Sequence, residues 1–131
     1  MNVLFLCGAN IFRSQMAEGF FNTYTKNSRA DSAALLAPQE KMHALVVRAM
    51  KEKGIDISHQ YSKKVTQNMI QTADKVIVMH PNLLLYYQGK TPEVWNITDI
   101  VAKETDEHLY PQFQKARNKI ETKVKELINS I

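Results

Sequence analysis

Cysteine occurs once in these 131 residues, at Cys7. A chain with one thiol has no internal disulfide and cannot pass oxidation from one of its own sulfurs to another. Metal-ligand spacing is missing as well: the four histidines are scattered and none stands at a zinc-binding interval from a partner, so no metal is expected. No apolar run approaches the roughly 20 residues of a membrane-spanning helix. The first such run lacks the basic segment that opens a signal peptide. Internal repeats and low-complexity tracts are absent too. These absences leave one soluble, cytoplasmic globular domain over residues 1–131, with no membrane partner and with 44% hydrophobic residues to fill one core. The net charge of +4 comes from Lys and Arg spread along the chain and densest near its end. That reads as a solvated face, with no nucleic-acid partner expected, while the positive field favours an anionic substrate.

The pattern that is present alternates strands with helices. Asn2 to Leu6 is a continuous apolar run of the kind buried on both faces of a parallel sheet. From Ser14, a candidate N-cap, the period becomes helical, with Met16, Ala17, Phe20, Phe21 and Tyr24 on one face and Gln15, Glu18, Asn22 and Lys26 on the other. A weaker strand spans Arg29 to Ala34. Pro38 then opens a helix with a core face of Met42, Leu45, Val46, Ala49 and Met50, stopped by Gly54 at the position that favours a left-handed residue. Val65 to Ala73 reads as a short helix, Asp74 to Met79 as the clearest strand after the first, and His80-Pro81-Asn82 as the start of another short helix. Val94 to Ile97 is a fourth strand. After Asp99 the remainder reads as one long helix with Phe113, Ala116, Ile120, Val124, Leu127 and Ile131 inside.

Alternation of this kind implies an α/β fold in which right-handed crossovers join parallel strands. Ligands of open α/β sheets bind beyond the carboxyl ends of the strands, and the first chemically capable residues there are Cys7, His80 and Asp99. Cys7 is the most telling. A thiol at the end of a strand and the start of a helix meets unpaired N–H groups and the positive end of the helix dipole, which favour a thiolate. The loop to Arg13 is long enough to curl its N–H groups around one centre as a nest for a tetrahedral oxyanion. Arg13 can then clamp two oxygens, Ser14 can donate to the sulfur, and Asn10 suits a left-handed position midway. The plainer readings are a core cysteine for Cys7, a turn or cap for Asp99 and a helix start for His80.

Cys7-Gly8-Ala9-Asn10-Ile11-Phe12-Arg13-Ser14-Gln15-Met16-Ala17-Glu18 resembles the phosphate-binding loop and first helix of the low-molecular-weight protein tyrosine phosphatase superfamily, which includes thioredoxin-coupled arsenate reductases. Ser32-Ala33, Gly54-Ile55-Asp56-Ile57-Ser58-His59 and Trp95-Asn96-Ile97-Thr98-Asp99 extend the likeness over nearly the whole chain. The resemblance implies a flavodoxin-like fold with a four-stranded parallel sheet flanked by helices. It also implies a metal-independent, cofactor-free phosphatase acting on phosphotyrosine-like monoesters of a protein or a small molecule. Cys7 would attack phosphorus to give a cysteinyl-phosphate, with Arg13 and the loop Gly8, Ala9, Asn10, Ile11, Phe12 and Ser14 binding the phosphate. Asp99 would act as general acid and then base, while Asn10 and Ser32 hold the loop's shape.

Four departures stand out. The loop glycine sits one place early, as Gly8-Ala9, where a left-handed third position would cost alanine about 1 kcal/mol. Phe12 replaces a second loop cysteine, which leaves Cys7 dependent on outside thiols. Ile100-Val101-Ala102 follows Asp99 in place of a proline and aromatic residues; Tyr86 and Tyr87 are the candidates for an aromatic rim, and amphipathic packing of their own helix is the plainer and favoured reading of them. Arg13 to Gly19 reads closer to the arsenate reductases, yet their two further cysteines are missing. The alternatives are therefore a single-cysteine arsenate reductase using an external thiol, and a phosphate-binding module without turnover. The oligomeric state stays open, with a monomer as the default.

Overall fold

The computed structural model describes residues 1–131. Four parallel strands, β1 (Asn2–Cys7), β2 (Arg29–Ala34), β3 (Lys75–Val78) and β4 (Glu93–Val94), form one sheet in the order β2-β1-β3-β4. β1 lies inside the sheet, flanked on both edges and covered on both faces. That explains its unbroken apolar run, since Val3 to Cys7 are all buried. The helices α1 (Arg13–Tyr24), α2 (Ala44–Lys51), α3 (Gln67–Thr72) and α4 (Tyr110–Ser130) flank the sheet, and a 3-10 helix covers Pro81–Tyr86. This is the α/β arrangement expected from the alternating pattern, with the four-stranded parallel sheet of the flavodoxin-like fold that the family resemblance implies.

Both ends of α2 follow from local chemistry. The His43 side chain accepts from Leu45 N–H and caps the start, and Gly54 stands at φ +74° just past the end. Pro38 therefore does not open this helix; residues 38–42 run as an irregular segment, because a better cap lies five residues on. A second correction concerns the carboxyl-terminal region. The chain from Ile100 to Asp106 is irregular, Glu107–Leu109 forms a single 3-10 turn, and α4 begins at Tyr110 with Pro111 in its first turn, where the missing N–H is no loss.

The faces of α1 depart most from its binary pattern. Gln15, placed outside by polarity, is fully buried, whereas Tyr24 reaches the surface. Gln15 Nε2 donates to the carbonyls of Asn10 and Tyr61, so its amide replaces water for a loop and a connector that α1 covers. Gly19 marks the closest approach of α1 to its neighbours: a Cβ there would lie 2.7 Å from Ile57 Cγ2 and 3.1 Å from Met50 Cε.

Candidate active site

β1 delivers Cys7 at its carboxyl end, and residues 8–12 form a bent loop before α1 begins at Arg13. The loop's carbonyls point to outside partners. Gly8 O accepts from Leu36 N–H at 3.0 Å, Ala9 O from Ser62 Oγ at 2.7 Å, Asn10 O from Gln15 Nε2 at 2.9 Å, and Phe12 O from Met16 N–H at 3.0 Å. Its N–H groups are unspent: from Gly8 to Gln15 none donates to a protein acceptor. A run of free backbone donors at the head of a twelve-residue helix is what a tetrahedral anion takes up.

The loop conformation turns on Asn10, the single non-glycine residue at positive φ, +57°. Its side chain is held at both ends. Oδ1 accepts from Lys63 N–H at 3.1 Å, and Nδ2 donates to Ser14 Oγ at 2.8 Å and to Ser32 Oγ at 2.9 Å. Ala9 stays out of the left-handed region, so the early glycine adds no strain. A Cβ on Gly8 would meet only the ordinary contacts of Leu36 and Leu83 at 3.8 and 4.0 Å.

Ser14 does not act as the N-cap. It lies in the first turn of α1, which starts after Phe12 with no side-chain cap, and its Oγ is 2.8 Å from Cys7 Sγ. Because Asn10 donates to this oxygen, the hydroxyl proton is left for the sulfur, the orientation a thiolate needs. Phe12 packs edge-on against Phe113 of α4, with ring centroids 5.0 Å apart, which fastens the loop to that helix.

Arg13 is buried. One Nη donates to Ile97 O at 2.9 Å; Nε has no hydrogen-bond partner and lies 3.7 Å from Asp99 Oδ1. A buried guanidinium N–H without an acceptor is costly in a finished structure, and it becomes intelligible beside an anion that would take it. The sequence-designated Cys7, Arg13 and Asp99 thus meet in one cleft of about 310 Å³.

The walls of that cleft also contain His43, Gln39 and Ile100 to Ala102. His43 Nε2 lies 2.9 Å from Ala102 O and ties the segment after Asp99 to α2. Val101 is 92% exposed at the mouth. The two aromatic rings of the wall, Phe12 and Phe113, are spent on each other, and neither Tyr86 nor Tyr87 lines the cleft. Tyr87 instead donates its hydroxyl to Lys90 O. His80 caps the 3-10 helix at Asn82 N–H, its plainer role.

Sequence reasoning missed Gln15, Glu18, His43, Ser62 and Lys63, which support the site from behind. Nothing in their spacing marks them, since they are ordinary surface residue types that the fold turns inward. Glu18 is the exception in chemistry: burial pushes its carboxyl above the usual range, against the opposing pull of the Ser32 hydrogen bond and of Lys63 and His59.

Residues 2–131 match the family described as low molecular weight phosphotyrosine protein phosphatase. An arsenate reductase of Bacillus subtilis is 33% identical over 130 residues, 95% of this chain and 92% of that protein. Among solved structures, a low molecular weight protein tyrosine phosphatase from T. tengcongensis superposes with a TM-score of 0.82 at 26% identity, covering 100% of this chain and 99% of the other. An arsenate reductase in the phosphate binding state gives 0.77 at 28% identity, covering 99% and 98%.

Proposed function

Since the chain belongs to the low molecular weight phosphotyrosine protein phosphatase family, we propose that it turns that family's cysteine chemistry on arsenate, reducing it at the expense of an external small thiol. The observation that carries this reading is a loop of free N–H groups running from the single thiol to Arg13, in a cleft whose two phenyl rings, Phe12 and Phe113, are packed against each other. Such a site suits a bare tetrahedral oxyanion, while its phenyl rings are engaged with each other and neither Tyr86 nor Tyr87 reaches it. The relatives named arsenate reductases support the same oxyanion.

The steps balance with one protein sulfur. The Cys7 thiolate attacks arsenic, an S–As bond forms, and one arsenate oxygen departs as water with protons taken in part from Asp99. Arg13 and the loop N–H groups stabilise the remaining oxygens. An external thiolate then attacks Cys7 Sγ: an S–S bond forms, and the S–As electron pair stays on arsenic, which leaves as arsenite. A second thiol displaces Cys7 from the mixed disulfide. The net change is arsenate and two thiols to arsenite, a disulfide and water.

The second reading, hydrolysis of a phosphomonoester, draws on Asp99. A carboxyl beside the anion-binding arginine is placed to protonate an ester oxygen and then to activate water. The two readings separate in one assay pair. Arsenite formation with glutathione, abolished in Cys7→Ala, supports arsenate reduction; para-nitrophenyl phosphate turnover without arsenite formation transfers the assignment to the esterase. Phosphate binding with neither activity would reduce the protein to an anion-binding module.

A further inference from the structure

Behind the loop, four side chains form one unbroken hydrogen-bonded chain that ends on the nucleophile. Glu18 Oε1 is 2.7 Å from Ser32 Oγ, Asn10 Nδ2 reaches Ser32 Oγ and Ser14 Oγ, and Ser14 Oγ reaches Cys7 Sγ. The protons can be assigned by counting. Lys63 N–H can only donate, so Asn10 must present Oδ1 to it and Nδ2 to the two serines. Each serine then has one lone pair taken and one proton to place. The proton of Ser32 goes to Glu18, and that of Ser14 goes to the sulfur.

We propose that Glu18 is a positioning residue for the Cys7 nucleophile: its ionised carboxylate takes the Ser32 proton, fixes Asn10 between the serines, and so aims the Ser14 hydroxyl at the sulfur. A protonated Glu18 would donate to Ser32 instead. The Ser32 oxygen would then accept from Glu18 and Asn10 at once, and its own proton would have no acceptor in the chain. The groups facing Glu18 are Asp31 from β2, and His59 and Lys63 from the connector between α2 and α3; Arg29 and Asp56 share the same cleft of about 400 Å³. Lys63 and His59 favour the carboxylate, Asp31 opposes it, and burial opposes it most. A half-buried carboxylate that is kept here despite its desolvation cost has its counterpart in the hydroxyl it orients.

This inference rests on Cys7 being the attacking group and not on which oxyanion it attacks. With a single thiol in the chain, alkylation by iodoacetamide reports Cys7 alone, so its rate can be followed from pH 5 to 9. Glu18→Ala is expected to move the midpoint of that profile upward and to slow alkylation at pH 6 about tenfold, the effect of one hydrogen bond to a charged atom. Glu18→Gln, which keeps an acceptor for Ser32, should recover most of the rate. Ser32→Ala should reproduce Glu18→Ala, and the double variant should add nothing further.

Inorganic phosphate, which protects Cys7 by occupying the loop amides, should protect all the variants at similar concentrations. An unchanged midpoint in Glu18→Ala and Ser32→Ala overturns the proposal. Additive losses in the double variant, or phosphate protection lost in parallel with reactivity, do the same by reporting a general collapse of the loop. A shifted midpoint in a protein that turns over no arsenate keeps Glu18 in its role and removes the oxyanion assignment instead.

Discussion

At the scale of single residues, Arg13 has two structural tasks and one chemical one. It braces the Ile97 carbonyl, faces Asp99, and keeps Nε free. Lysine offers a point charge without the planar fork, so Arg13→Lys should weaken inorganic phosphate binding at least about tenfold by titration calorimetry while the chain still folds. Asp99 should behave oppositely in binding and in turnover. Its exposed carboxylate stands near the anion site, so Asp99→Asn removes a repulsion and is expected to tighten phosphate binding severalfold. If the protein cleaves aryl phosphates, the same change should lower kcat about 100-fold, the usual worth of a placed proton donor. A variant that lost both binding and turnover equally would place Asp99 in the framework and not in the chemistry.

The elements were legible in the sequence to different degrees, and the reasons are physical. β1 and its loop could be read because a strand covered on both faces must be apolar throughout, and because the nucleophile, the left-handed Asn10 and Arg13 are adjacent in sequence. Asp99 could be placed because a strand end locates it without knowing its partner. The back of the site could not be read. Gln15 and Glu18 look like the outer face of an amphipathic helix, and only the loop and the connector folded over α1 turn that face into an interior. Ser14 was misread as a cap for a related reason: a serine at a helix start satisfies a backbone N–H unless a better partner is brought from elsewhere, here the sulfur.

Two predictions belong to the elements. Phe12→Ala removes the ring that fastens the loop to α4 and should cost about 3–4 kcal/mol by denaturant unfolding, with loss of anion binding. Gly19→Ala sets the roughly 1 kcal/mol that helix propensity gains against the contact with Ile57, a branched side chain that is itself fully buried. Overpacking of about 1–3 kcal/mol should prevail, giving a lower Tm for a substitution that would stabilise an unobstructed helix.

For the whole molecule, the response to pH follows from carboxylates shifted in opposite directions. Glu121 of α4 would be pushed up by burial, but the Tyr24 hydroxyl at 2.5 Å and the Lys53 ammonium at 3.0 Å outweigh that and hold it below the usual range. Its contribution to stability is complete above the ordinary carboxylate range and is lost as pH falls through its lowered folded value. Glu18 has the reverse sign, since a raised carboxyl favours the folded state on the acid side. Glu121→Gln should therefore flatten the acid limb of the stability curve, and Glu18→Gln should steepen it, by urea unfolding between about pH 3 and 6. Tyr24, pushed up to about 12 by burial and by its bond to Glu121, stabilises the fold fully below pH 10, and that contribution is lost as pH rises toward 12.

The strand order carries a last consequence, for motion. The cradle grows from β1, which is stitched to a neighbour on each side, whereas Asp99 hangs from β4, an edge strand of two residues continued by the bonds of Trp95 and Ile97 to β3 and its end. The two halves of the site therefore differ in how readily they open. In native-state hydrogen exchange the amides of β1 should open only with global unfolding, while those of Trp95 and Ile97 exchange through a smaller, local event. Phosphate in the cradle, by engaging Arg13 and through it the Ile97 carbonyl, should slow the second event more than the first. The bound anion would then act as a latch, through Arg13, on the hinged segment that carries Asp99.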